Sequence, residues 1–280
     1  MNLGLALNEA NNELKKGKVN SPLLDSEILM SKVISKDRKY IILNLDEKLN
    51  KKNYIDFKSL IEERLKGKPI AYLIGKKNFW KNEFIVNENV LIPRPDTELI
   101  VEQVLKIFRN KLRMNFLEIG IGSGCIIMSI LKEKKGFLGT GIDLDEECIK
   151  LSKINAKRLG VSNRIKFFKS DVDNFSYGKY DLIISNPPYI KKLDLKNLDR
   201  DVIDFEPKLA LDGGLEGTSE IRKIINRSSE LIKKKGKLVL EIAHDQKNEV
   251  IKILRTKNFY INNVVKDLAK KNRCIISTKI

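Results

Sequence analysis

Asn115-Phe-Leu-Glu118-Ile-Gly120-Ile-Gly122-Ser-Gly124 joins a short apolar run to three glycines at alternate positions. The run suits a buried strand, and the sequence after it is helical in pattern, so the glycines fall in the turn between the two. The same alternation continues downstream. FLGTGID (137–143) reads as a strand and EECIKLSKINAKRLG (146–160) as a helix. IKFFK (165–169) and YDLIISN (180–186) read as strands, about 218–234 as a helix and KLVLEIA (237–243) as a strand. Strands alternating with helices argue for an α/β domain built on a parallel sheet covered on both faces. YINNVVKD and CIISTK close the chain with a connection too short for a crossover helix, so the last strand is expected to run antiparallel.

Upstream of the glycines the texture differs. Ser21-Pro22 reads as a helix start, and Tyr54, Phe57, Ile61 and Leu65 recur three or four apart, the stripe of one helix face. A small helical domain over 1–75 is expected. Phe79, Trp80, Phe84, Ile85 and Val86 are β-formers, with a turn-like Asn87-Glu88-Asn89 before Val90-Leu91-Ile92. They predict a hairpin linker over 76–95, which Pro93-Arg94-Pro95 ends. Asp96 is a candidate N-cap for the helix TELIVEQVLKIF, opening a third region over 96–280.

Composition sets the outer bounds. The 280 residues are 42% hydrophobic, enough for a sizeable core. Three scattered cysteines offer no disulfide framework and no zinc spacing, which points to a reducing, cytoplasmic setting and no metal. No membrane span or export signal is read. A net charge of +17 would attract polyanions, so nucleic acid is a partner that is possible but not required; Lys-rich, Asn-rich usage also follows from biased codons.

Four features would meet at the carboxyl ends of the strands, where open parallel sheets bind ligands. Gly120, Gly122 and Gly124, with Glu118, Ile121 and Ser123 between and beside them, let the backbone turn tightly and approach a ligand. Their GxGxG spacing departs from the GxGxxG of dinucleotide sites. Asp143 ends the next strand about twenty residues on, where a carboxylate can accept both hydroxyls of a ribose; a helix N-cap is the alternative. Asp171, after the third strand, can accept from an adenine amino group or can be a simple loop residue.

Asn186-Pro187-Pro188-Tyr189 decides the chemistry. Two prolines fix φ and remove two backbone donors, so the segment offers carbonyl oxygens and the Asn186 side-chain oxygen as acceptors. A planar –NH2 has two in-plane donors. Two acceptors hold both and aim the nitrogen lone pair at a third point, the geometry for in-line methyl transfer. Tyr189 can stack on the flat group and exclude water. Alignment and polarisation would carry catalysis. His244, the one histidine, and Cys125, with no histidine matched to it, are read as structural.

These features resemble the amino-methylating class I methyltransferases that use S-adenosylmethionine. More closely, the chain resembles the HemK/PrmC family, over nearly its whole length. The resemblance extends to Pro69-Ile-Ala-Tyr-Leu-Ile-Gly75, Leu91-Ile-Pro-Arg-Pro-Asp-Thr-Glu98, Glu206-Pro207, Ala210-Leu-Asp-Gly-Gly214, Glu241-Ile242 with Gln246, Lys266-Asp-Leu268 and Arg273. It implies a Rossmann-like sheet behind a helical domain that helps dock a substrate protein. The implied reaction methylates N5 of the glutamine in the Gly-Gly-Gln motif of peptide chain release factors, leaving S-adenosylhomocysteine. Gly120, Gly122 and Gly124 would line the methionine part of the cofactor and Asp143 the ribose. Asn186 and the Pro187 carbonyl would hold the substrate amide, with Pro188 and Tyr189 beside it. Many relatives carry an aromatic residue after Asp171; here Val172 stands there. A monomer is expected. The alternatives are an amino-methyltransferase for adenine or cytosine in nucleic acid and a non-catalytic RNA-binding relative; an NAD-dependent oxidoreductase fits least.

Overall fold

The computed structural model describes residues 1–280 and divides into two compact units, 1–76 with 199–205, and 77–198 with 206–280. In the first, five helices precede the sheet: α1 (Leu3–Lys16), α2 (Pro22–Ile34), α3 (Arg38–Leu43), α4 (Lys51–Leu65) and α5 (Ile70–Ile74). Leu3, Leu14, Leu29, Met30, Phe57 and Ile61 are buried together as its core. Phe57 and Ile61 are the centre of the α4 stripe, while Leu65 at its end stays exposed. Arg64 on α4 bonds the buried Asp25 of α2 at 2.8 Å and also donates to the Lys68 carbonyl, closing the C-terminal end of α4.

The second unit opens with a hairpin, β1 (Lys76–Phe79) and β2 (Asn82–Ile85). It turns at Trp80 and Lys81, not at Asn87–Asn89, and residues 90–92 form no strand. Trp80 takes a left-handed φ of 55°, its N–H donates to Glu98 at 2.6 Å and its indole to Glu133 at 2.9 Å. Such anchoring outweighs the cost of that backbone state in a bulky residue. The Ile92 N–H goes to the buried Glu206 carboxylate instead of a strand partner. Pro95–Thr97 form a 3₁₀ turn ahead of α6 (Glu98–Ile107), so Asp96 lies inside that turn and caps nothing; it faces Arg273 at 3.6 Å.

Then come β3 (Met114–Ile119), α7 (Cys125–Glu133), β4 (Phe137–Asp143), α8 (Glu146–Arg158), β5 (Ile165–Lys169) and β6 (Tyr180–Ser185). They are followed by α9 (Arg200–Phe205), which belongs to the first unit, and then by α10 (Ser219–Leu231), β7 (Ile232–Glu241), α11 (Lys247–Thr256), β8 (Phe259–Lys266) and β9 (Asn272–Lys279). The seven-stranded sheet has the order β5-β4-β3-β6-β7-β9-β8, parallel except for β9, which runs against both neighbours. The antiparallel last strand is therefore as the short final connection predicts. Adjacent residues of each central strand face opposite cores. Phe116, Leu182 and Val239 join α6, α7 and α8 in one, and Leu117, Ile183 and Leu240 join α10 and α11 in the other. Each such side chain contributes about 1.5–3 kcal/mol on full burial. No helix is long and apolar enough to cross a membrane.

The chain leaves β3 towards β4 on one side and returns to β6 on the other, so the switch point of the sheet lies between β3 and β6. Ile119 of β3 pairs with both Ile142 of β4 and Ser185 of β6, which brings the ends of all three strands level. The glycine turn and the diproline corner begin at those ends.

Asn155 on α8, 1% exposed, ties this edge together. Its amide donates to Ile85 O and Ser123 O, both at 3.0 Å, and its oxygen accepts from Ile85 N at 2.8 Å. Asn155→Leu strands three backbone groups, and urea unfolding should show a loss of about 3 kcal/mol, since a buried polar group left unpaired costs about 1–3.

Candidate active site

A cavity of about 580 Å³ opens at the switch point. Glu118, Gly120, Ile121, Gly122, Ser123, Asp143, Asp171, Val172, Asn186, Pro187 and Pro188 all line it. Gly124 and Tyr189 do not. The residues picked from sequence thus converge on one hollow with two exceptions, and each exception has a visible structural task.

The glycine turn is held in place by its neighbours. Gly120 and Ile121 both donate to Ile142 O at 3.0 Å, Gly122 donates to Asp143 Oδ2 at 2.9 Å, and Ser152 on α8 donates to Gly122 O at 2.8 Å. Gly120 and Gly122 have φ of 73° and 52°, and a Cβ added at either would meet nothing within 4 Å. The space above them belongs to the cavity, and a side chain would both strain the backbone and fill it. Gly124 is different. A Cβ there would meet Met128 Cε at 2.3 Å, so this glycine serves the packing of α7.

Three carboxylates line the hollow at the ends of β3, β4 and β5. Glu118 is buried, accepts from Ile127 N at 2.8 Å, and burial pushes its carboxyl well above the usual range. Burial also pushes Asp143 up, against the pull of the Gly122 and Asp145 N–H groups. Each Asp143 oxygen accepts one of those bonds and keeps a lone pair for a ligand. Asp171 caps the short turn Val172–Asn174 through Asp173 N at 2.9 Å, with Val172 buried beside it as an apolar wall. Asp143 is not the helix cap, since Asp145 caps α8, and Asp171 caps its short turn while it also lines the hollow.

At the diproline corner, Ser185 donates to Ile119 O at 2.7 Å and fixes the end of β6 against β3. Asn186 turns its Nδ2 to Thr97 Oγ1 at 3.2 Å. Downstream, Ile190 N bonds Leu211 O and Gly213 N bonds Ile190 O, while Gln246 donates to the carbonyls of Tyr189 and Gly217 at 3.0 and 2.9 Å. A Cβ on Gly213 would come within 2.8 Å of Tyr189 Cα, so only glycine allows this approach. Tyr189 packs on the α10–α11 side of the core and donates its hydroxyl to Glu241 Oε1 at 3.3 Å; burial raises its pKa. The hydroxyl is thereby engaged away from the cavity.

The sequence assigns no site task to Thr97, Ser152, Asn155 or Glu241, although Thr97 and Glu241 stand in segments that carry the resemblance. Ser152 and Asn155 lie three apart on α8 and so share a face, a spacing that shows one surface but not what it touches. Burial pushes the thiols of Cys125 and Cys148 up, which leaves both as poor nucleophiles. His244 is exposed and stands outside the hollow.

Residues 6–75 match the family described as PrmC N-terminal domain, and residues 96–270 that described as methyltransferase small domain. The release factor glutamine methyltransferase of Buchnera aphidicola subsp. Baizongia pistaciae is 37% identical, with 98% of each chain covered. The bifunctional methyltransferase of Rickettsia conorii is 34% identical over 98% of this chain, which spans 57% of that relative's length. Among solved structures, the ribosomal protein L11 methylase of Lactobacillus delbrueckii subsp. bulgaricus shares the fold, with a TM-score of 0.52 at 15% identity over 73% of this chain and 90% of that one. With a PrmC N-terminal region ahead of its methyltransferase sheet, and a near full-length match to relatives of that kind, the chain belongs to the family of the release factor glutamine methyltransferases.

Proposed function

We propose that the chain uses S-adenosylmethionine to methylate the side-chain amide nitrogen of the glutamine in the Gly-Gly-Gln motif of peptide chain release factors. One observation carries the reading. Asn186 gives its Nδ2 to Thr97, so its Oδ1 is left, beside the donor-free Pro187 and Pro188 backbone, on the wall of the cavity that the glycine turn and Asp143 also line. Acceptors for an –NH2 group and a cradle for an adenosyl ligand thus share one space.

The residues suit the cofactor. The open space over Gly120 and Gly122 takes an aliphatic chain against bare backbone. The free lone pairs of Asp143 suit a ribose diol, and Val172 with Asp171 suits a flat base carrying an amino group. Bound there, S-adenosylmethionine supplies a methyl group activated by a sulfonium centre.

The rest of the chemistry falls to this chain's own groups. Asn186 Oδ1 and the Pro187 carbonyl accept the two N–H bonds of the substrate amide and turn its nitrogen towards the hollow. Both acceptors build electron density on that nitrogen as it gains a carbon substituent and gives up one N–H proton to solvent water. The rigid corner holds that aim with little reorganisation, since Gln246 and the 211–217 segment fix it. Tyr189 supports the corner from behind, in place of the face-on stacking expected from sequence. A secondary amide has only one N–H to offer, so the pair of acceptors selects for primary amides and amines.

The direct test is mass spectrometry of a release factor incubated with the full chain and S-adenosylmethionine. One added methyl on the Gly-Gly-Gln glutamine is expected; transfer to DNA or RNA in parallel reactions, and none to the factor, would overturn the reading. Asn186→Ala should lower kcat about 10²–10³-fold, the scale of one lost transition-state contact, with cofactor affinity nearly intact. Asp143→Ala should weaken cofactor binding in a calorimeter by about 1–3 kcal/mol, as for a lost charge-assisted hydrogen bond; an unchanged dissociation constant would place the ribose elsewhere.

A further inference from the structure

Behind the diproline corner lies a carboxylate that the proposed chemistry does not use. Glu241, at the end of β7, is 2% exposed, and its Oε2 has no hydrogen-bond partner. The other buried side-chain atoms in that condition are serine hydroxyls, so this is the one orphaned carboxylate oxygen. A buried ionisable group is costly to a fold, and a half-satisfied one calls for an explanation. Its Oε1 accepts from Tyr189, and the Thr97 hydroxyl faces the same carboxyl.

Thr97 stands between Glu241 and Asn186. A threonine hydroxyl has a single proton. While Asn186 Nδ2 donates to Thr97 Oγ1, that proton has to point elsewhere, and the unpartnered Glu241 Oε2 is the acceptor we assign to it. The order Asn186 to Thr97 to Glu241 then holds the Asn186 oxygen towards the cavity. A protonated Glu241 can reverse the order: it donates to Thr97, Thr97 donates to Asn186, and the amide turns over. Asn186 would then present its own –NH2 to the substrate's –NH2, donor against donor.

We propose that Glu241, acting through Thr97, is a positioning residue that fixes which face of the Asn186 amide meets the substrate. The inference rests on the methyl-transfer reading above. Burial pushes the Glu241 carboxyl up to about 7, opposed by Thr97, Arg273 and Tyr189 and reinforced by Asp96. Cys125 and Cys274 also face it. Neither the substrate amide nor a sulfonium titrates near neutrality, so a limb there reports the protein.

The experiment follows methyl transfer to a purified release factor by the full chain from about pH 5.5 to 9, the range that brackets a group poised near neutrality. Wild-type kcat should climb through about 7 and then level off. In Glu241→Gln the limb should vanish and kcat fall about 10- to 100-fold, the scale of a misaligned reacting group, while KM for the factor holds because docking is set elsewhere. Thr97→Val should show the same loss, Thr97→Ser should restore it, and the Glu241→Gln/Thr97→Val pair should fall no further than either single change.

Folding is checked by melting. The folded chain holds the Glu241 proton up to about 7, whereas the unfolded chain releases it near 4.5. That contribution to stability is full below the lower value and is lost as pH rises through the upper one. Glu241→Gln escapes the loss, so its Tm should exceed that of the wild type above neutral pH even as activity drops. Wild-type kcat and an unchanged limb in Glu241→Gln would overturn the inference, as would a limb removed by His244→Asn. A wild-type chain that methylates no release factor at any pH would instead sink the functional reading itself, and this inference with it.

Discussion

An asparagine side chain has two faces of nearly equal shape, one donating and one accepting, and only the accepting face can hold an –NH2 group. The bond from Asn186 Nδ2 to Thr97 Oγ1 makes that choice. Almost everything near the corner supports it. Ser185 pins the strand end, the prolines remove competing donors, and Gln246 and Gly213 fix the segment that follows. Thr97 comes from the 3₁₀ turn that begins in Pro93-Arg94-Pro95, so a motif of the chain far upstream sets the chemistry of one near residue 186.

The opposite wall is built on a shared economy of groups. Asp143 holds the glycine turn with one oxygen and the start of α8 with the other, and still faces the cavity. The same side chain can therefore order the turn and receive a ligand, because a carboxylate has more lone pairs than either task uses. Burial raises the pKa of Glu118, Asp143 and Glu241 alike. A fold selected for stability alone would avoid such groups; Glu118 and Asp143 line the hollow and Glu241 lies behind its diproline corner, the electrostatic mark of a functional site.

Much of this was legible before any coordinates. Strand-glycine-helix alternation gave the sheet, and the short final connection gave its one reversed strand. The diproline segment gave the acceptor logic, since proline lacks a donor wherever it stands. Other features were misplaced because they depend on distant partners. The hairpin turn moved to Trp80 because Glu98 and Glu133 hold that residue in a left-handed state. Asp96 looked like a cap, but the first turn is 3₁₀ and its carboxylate faces Arg273 on β9.

The sequence by itself determined the kinds of group present: a backbone bare enough to cradle a ligand, carboxylates at strand ends, and a rigid corner with no N–H of its own. These follow from covalent structure and local propensity, which a chain carries wherever it folds. Only the tertiary structure decided which groups share the hollow. It set Gly124 to packing and Gly120 and Gly122 to the cavity, turned Tyr189 towards Glu241, and put Thr97 against Asn186. The contacts of Tyr189 and Thr97 join residues tens of positions apart, and a hydrogen bond's direction depends on the whole chain of donors and acceptors behind it.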